Sequence, residues 1–221
     1  MSVRIRLFYE KRGGACFVPH IALVSLFSRA AARAGILLRQ TEGFSPHARM
    51  SFGPELPAGV VAFSEPVDIW CGIDPETDEQ HLAAIWNGQM PDGFNIKRCE
   101  MLPDGAGALG KDAQAAIYCV WAENVTLSAL TESLNGHYGH DLLISQDARE
   151  AIFPQGTQLT DLPPGWVGVS FAVARAAQNG IGGWVRAASD ERGAKIIEGW
   201  QNLRIARLYL ARLRGTEILE L

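Results

Sequence analysis

Residues 1–103 read strand, helix, strand, strand, helix, strand; the same order starts again at residue 114; and a glycine- and proline-rich stretch parts the two runs. These observations predict an α+β chain of two tandem ferredoxin-like (βαββαβ) domains, 1–103 and 114–221, the second more divergent. A length of 221 residues suits two domains of about 100 each. An apolar fraction of 48% is enough to fill two cores.

Residues 3–9 open the first run. Val3, Ile5, Leu7 and Tyr9 share one face and Arg4, Arg6 and Phe8 the other, the alternation of a half-buried strand. Pro19 suits a first helical turn, Leu23, Leu26, Phe27, Ala30 and Ala34 keep helical spacing, and Gly35 supplies a stop. On the opposite stripe lie Ser25, Arg29 and Arg33, so two guanidinium groups project from one side. Residues 36–40 read as a short second strand. In the third, Val67, Ile69 and Cys71 alternate with Asp68 and Trp70. Residues 74–78 are acidic, as helix starts often are, and Leu82, Ile85 and Trp86 give that helix an apolar side. After a break at 88–93, residues 94–99 close the sheet, with Phe94 and Ile96 inside and Asn95 and Lys97 outside. The outer face then carries Arg4, Arg6, Phe8, Asp68, Trp70, Asn95 and Lys97. It is either an open surface that stacks RNA bases on its aromatics, or an internal interface on which a second domain packs.

Residues 102–114 form the linker, with Pro103, Gly105, Gly107 and Gly110. Beyond it, Ile117, Cys119 and Trp121 alternate with Tyr118 and Val120 in a strand. Leu127, Leu130 and Leu134 mark a helix stopping near Gly136, and residues 142–144 a short strand. Residues 151–165 are loop-like, with an edge strand possible at 151–153. Residues 166–174 alternate cleanly, and the small residues Gly168, Ser170 and Ala172 imply a neighbour packed close to their face. A helix is expected to run on through Ile196 and Ile197. The last segment, 203–213, is a helix or a strand; Leu203 and Ile205 point one way and Leu208 and Leu210 the other, so a strand there needs a bulge.

The net charge of −4 hides a segregation: residues 1–60 sum to +5, residues 61–170 to −12 and residues 171–221 to +3. Both chain ends are basic and the middle is acidic, so if the ends meet in space one basic face results, which suits an anionic partner. Cys16, Cys71, Cys99 and Cys119 are spread widely with no C-x-x-C pair, so buried reduced thiols are expected and no zinc ribbon. No apolar run approaches the ~20 residues of a membrane span, and residues 1–6 alternate charge with apolar groups where a signal peptide would carry an apolar core. A cytoplasmic protein without a membrane partner follows.

Residues 43–59, G-F-S-P-H-A-R-M-S-F-G-P-E-L-P-A-G, hold three prolines and three glycines, which excludes a regular helix. Phe44, Met50, Phe52 and Leu56 are interleaved there with His47, Arg49 and Glu55, so an ordered, functional loop is expected. His47 and His20 are the candidate general acids or bases. Arg29, Arg33 and Arg49, with Phe44 and Ser45, are the candidate substrate-binding groups, guanidinium being suited to phosphate or carboxylate. The site requires the loop to fold back over the first helix, so that these cations line one pocket. His137, His140 and Asp141 read as a turn between helix and strand rather than a metal site. The run 179–183, N-G-I-G-G, lacks the Lys-Ser/Thr of a P-loop and does not match G-x-G-x-x-G, so no cofactor and no metal are expected.

The segment F-V-P-H at 17–20, the helix end F-S-R-A-A-A-R-A-G at 27–35 and above all G-F-S-P-H-A-R-M-S-F-G-P at 43–54 resemble the bacterial radical SAM-linked protein family. The resemblance is specific over the first ~75 residues. Members typically show an S-H-L-D-like helix start, where this chain has Pro19 and Ala22, and a G-F-N-P-H-P-R loop. The family is a domain of uncharacterised function, often encoded beside or fused to a cobalamin-binding radical S-adenosylmethionine (SAM) protein, near ribonuclease and ribosomal-protein genes. No C-x-x-x-C-x-x-C triplet occurs here, which fits an accessory part. The resemblance therefore implies an accessory protein that presents transfer or ribosomal RNA to a radical SAM partner. Two other classes stay open: a metal-independent RNA-cleaving enzyme with His20 or His47 as base, and a protein-interaction module.

Overall fold

A computed structural model describes residues 2–148, 165–188, 195–197 and 202–221. These hold nine strands, with antiparallel pairings, and five α-helices. The chain divides into two compact units, Met1–Asp112 and Ala113–Leu221.

In the first unit, β1 (Val3–Lys11) is flanked by β3 (Val61–Cys71) and β4 (Phe94–Leu102), and the short β2 (Met50–Phe52) pairs with β3. The order is thus β4-β1-β3-β2. The helices α1 (Leu23–Arg33) and α2 (Glu79–Asn87) pack on one face. Ile5, Leu7 and Tyr9 of β1 meet Leu23, Phe27 and Ala30 of α1 and Leu82 and Trp86 of α2 in a single core, as the alternation of β1 requires. Asp78 caps α2 by accepting the His81 N–H at 2.8 Å. A 3-10 turn, His20–Ala22, leads into α1, and Gly35, at φ +72°, ends it.

One expectation needs correction here, and one of two open alternatives falls. The second strand is not residues 36–40 but β2, inside the segment read as loop; Leu38 and Gln40 make only isolated bridges, to Cys71 and Ala48. Nor is the outer sheet face an open stacking surface: Asp68 is 0% exposed, Phe8 1% and Arg6 3%. The reason lies partly in the glycine-rich segment after β4. Its residues Ala106 and Gly107 accept hydrogen bonds from the Arg4 guanidinium, at 2.9 and 2.6 Å, and Asp112 lies 3.6 Å from Arg6. A short helix, α3 (Leu109–Asp112), lies there with Leu109 fully buried. Beneath it, Asp68 receives both Arg4 and Arg6, the latter at 2.7 Å.

In the second unit, β5 (Ala115–Glu123) lies between β7 (Trp166–Ala174) and β8 (Leu203–Arg214), β6 (Leu142–Asp147) pairs with β7, and β9 (Glu217–Glu220) with β8. Its helices are α4 (Leu127–Tyr138) and α5 (Ile181–Ala187). The final segment is a strand and carries the bulge its alternation demands: Ile117 faces Tyr209 while Tyr118 faces Arg207, leaving Leu208 as the extra residue. The helix expected to reach Ile197 instead ends at Ala187. The edge strand expected at 151–153 lies outside the described residues. Asp141 is bound by Arg175 and by Asn179 at 3.0 Å. The Arg175 hydrogen bonds hold its carboxyl below the usual carboxylate range.

The small face of β7 is explained by Gly168, which lies opposite Trp121. A Cβ there would sit 2.8 Å from Trp121 Nε1 and 2.9 Å from the Ala148 Cβ. Gly168→Ala is therefore expected to destabilise the second unit by about 1–3 kcal/mol through overpacking. Urea denaturation followed by tryptophan fluorescence would measure it, and an unchanged midpoint would show that the indole yields freely.

Candidate functional site

Between α1 and the edge of β3 the chain builds a short two-stranded arm, residues 39–49. Its rungs are local: the Arg49 N–H donates to the Arg39 carbonyl at 2.8 Å, and the Thr41 N–H to that of His47 at 2.8 Å. Both stems root on Trp70 of β3, whose carbonyl accepts from the Arg39 N–H at 2.8 Å and whose N–H donates to the Arg49 carbonyl at 3.2 Å. Gly43, at φ +127°, supplies a backbone conformation at the tip that side chains rarely adopt. Next to it, Phe44 has a relative exposure of 111%, so its ring stands fully open to solvent.

One side of the arm faces α1 across an open groove of about 640 Å³. Val24, Ser25, Ser28, Arg29 and Ala32 of α1, residues 35–38, and Gln40, His47 and Ala48 of the arm line it. His47 is oriented by its own arm. Its N–H donates to Thr41 Oγ1 at 3.2 Å, and its Nδ1 lies 3.2 Å from that hydroxyl and 3.3 Å from the Ser45 carbonyl. Nδ1 is thus turned toward the arm's own hydroxyl and carbonyl, which leaves Nε2 pointing away from them.

The candidate residues do not all converge. His47 and Arg29 share the groove. Arg49 does not line it; its guanidinium lies 4.4 Å from the centre of the Trp70 ring, which Arg4 also approaches, at 5.2 Å. Arg33 reaches the Gln89 carbonyl beside α2. His20 packs edge-on to Phe52 with ring centres 5.4 Å apart, also outside the groove lining. Ser45 and Phe44 stand exposed at the tip. The single pocket of cations is thus reduced to Arg29 and His47. The cause is β2: once residues 50–52 pair with β3, strand alternation sends Arg49 to the neighbour of Trp70.

Arg39 and Thr41 are site residues the sequence reading passed over. Their signal was present: R-Q-T and H-A-R flank the turn residues E-G-F-S-P, a hairpin pattern around a five-residue turn. Between residues 23 and 52 there are four arginines and one carboxylate, Glu42, in a chain of net charge −4. No carboxylate pairs with Arg29 or Arg39 among the described residues.

The four cysteines are free and buried. Burial pushes the Cys71 thiol up to about 11 and Cys99 and Cys119 up to about 12, so none is poised as a nucleophile at neutral pH. Among the described residues, no three His, Cys, Asp or Glu side chains gather as a metal site, and no helix is long and apolar enough to cross a membrane.

Residues 4–151 match a bacterial family described as an uncharacterised protein conserved in bacteria (DUF2344), and the chain belongs to it. The match takes in the arm and groove and continues past the first unit to β6. No curated protein matches the chain.

Proposed function

We propose that this chain is a cytoplasmic accessory protein that binds RNA, transfer or ribosomal, in the groove beside the arm and holds it for a radical SAM enzyme. The observation that carries the RNA half is the concentration of arginine in residues 23–52, with no carboxylate on Arg29 or Arg39 among the described residues, in the same stretch as the exposed Phe44 ring and in a chain of net charge −4. Arg29 holds a phosphate, His47 contacts the substrate in the groove, and Arg49, stacked on Trp70, adds positive potential at the root of the arm. The partner half rests on the resemblance carried by the loop at 43–54. Each unit is read as ferredoxin-like; the orders β4-β1-β3-β2 and β8-β5-β7-β6, with a helix after the first and third strand of each, support that reading.

Binding of bulk cytoplasmic RNA, measured over a salt series, is the test. The affinity should fall as salt rises, and Arg29→Ala should both weaken binding and reduce the log–log slope by about 0.7, the loss of one phosphate contact to a single strand. Binding that ignores salt, or an unchanged slope in the variant, would remove Arg29 from the site. Recovery of a radical SAM protein from the native cytoplasm tests the partner half.

The orientation of His47 favours a second reading, RNA cleavage with Nε2 as general base. RNA cut without added metal by the parent but not by His47→Ala would establish it. Intact RNA after prolonged incubation would dismiss it.

A further inference from the structure

We propose that the arm, residues 39–49, grips its RNA as an unpaired stretch, with the Phe44 ring stacked on one base and Arg29 and Arg39 on the flanking phosphates. This rests on the RNA reading above and adds the form of the ligand. The first ground is Phe44. A fully exposed aromatic ring, raised on a tip that Gly43 shapes, presents a face to solvent at a standing hydrophobic cost. In an A-form duplex the base faces are covered by their neighbours, so only an unstacked base can cover such a ring. The second ground is the distribution of charge. Among the described residues Arg29 and Arg39 have no carboxylate partner; Arg29 lines the groove on one side of the arm, and Arg39 stands exposed at its root. Guanidinium groups near the base of a projecting ring can track a backbone whose base is turned toward that ring, as single-strand binders do. The third is the groove itself. It is open and about 640 Å³, lined by Val24, Ala32, Leu37 and Ala48 together with Arg29 and His47, a mixture suited to a nucleotide rather than to a continuous phosphate ridge.

The experiment uses the full chain and a random-sequence RNA of about 12 nucleotides, within the site size of single-strand binders, carrying one central 2-aminopurine. It is offered single-stranded or annealed to its complement. The expected result is binding of the single strand with a change in 2-aminopurine fluorescence, and at least about tenfold weaker binding of the duplex. Phe44→Ala should lose about 5- to 100-fold in affinity together with the fluorescence change, the effect of removing one base–aromatic stack. Phe44→Tyr should retain both. Because Phe44 is fully exposed, neither variant should alter thermal unfolding. Bulk RNA retained while the single strand is ignored, or equal binding of both forms, or an unaffected Phe44→Ala, would overturn the inference and leave the RNA reading standing. No RNA bound in any form would overturn both.

Discussion

Replacing Asp68 with alanine is expected to cost the first unit about 3–5 kcal/mol, because it strands the buried charge of Arg6 and the partly buried one of Arg4. Asp68 is fully buried, and Arg6 binds it through Nε at 2.7 Å and a terminal nitrogen at 3.1 Å. Burial alone would lower the pKa of Arg6, yet the hydrogen bonds and attraction of Asp68 raise it, so the guanidinium stays charged and needs a partner. Asp112, at 3.6 Å, is too distant to replace it fully. Asp68→Asn should lose most of the same stability, since it keeps the shape and removes the charge. The triple change Arg4→Met, Arg6→Met, Asp68→Leu should recover much of it, an apolar set of similar volume being an adequate substitute for an ion cluster. Urea titration of the three proteins decides this, and a loss below about 1 kcal/mol in Asp68→Ala would mean that water reaches the cluster. Limited proteolysis supplies a second readout. Arg4 ties the carbonyls of Ala106 and Gly107, so releasing Arg4 from Asp68 should speed cleavage around residues 103–112.

This cluster also marks how far the fold could be read from the residues alone. Alternation placed Arg4, Arg6 and Asp68 on one face, which was right in direction, since Ile5, Leu7 and Tyr9 face the helices. It could not say what lay over that face. A guanidinium and a carboxylate read as solvated groups until their pairing across β1 and β3 is known, and Arg6↔Asp68 is a register fact between residues 62 positions apart. The bulge in β8 was legible because it interrupts a period within a single segment. The exchange of residues 36–40 for β2 was not, because both are short apolar stretches beside β3 and only tertiary pairing chooses between them. For the site, the turn chemistry of 43–46 located the tip, while the side to which each arginine turns followed from that same pairing. Arg29 kept its place because helical spacing is set locally, whereas Arg33 of the same stripe was drawn off to the Gln89 carbonyl, and Arg49 lost its place because strand facing depends on register.

Phe27→Ala should have the other large effect, and it joins stability to the proposed binding. Phe27 is 0% exposed and stands in a row of edge-on rings: Tyr9 of β1 is 5.0 Å away by centroid, Phe52 of β2 5.8 Å, and Phe52 in turn meets His20 at 5.4 Å. Truncating it removes a buried ring and leaves a cavity between helix and sheet, for about 3–5 kcal/mol. The consequence for the groove is indirect. No atom of Phe27 lines it, but α1 supplies one wall and the arm that continues into β2 supplies the other, and this ring fixes their spacing. Weaker RNA binding is therefore expected from Phe27→Ala at a temperature where circular dichroism shows it folded, whereas Phe27→Leu should regain most of the stability and most of the affinity. Retention of full affinity by a folded Phe27→Ala would separate the groove from the core beneath it. A midpoint shift worth under about 1 kcal/mol would show that the neighbouring rings close the cavity by themselves.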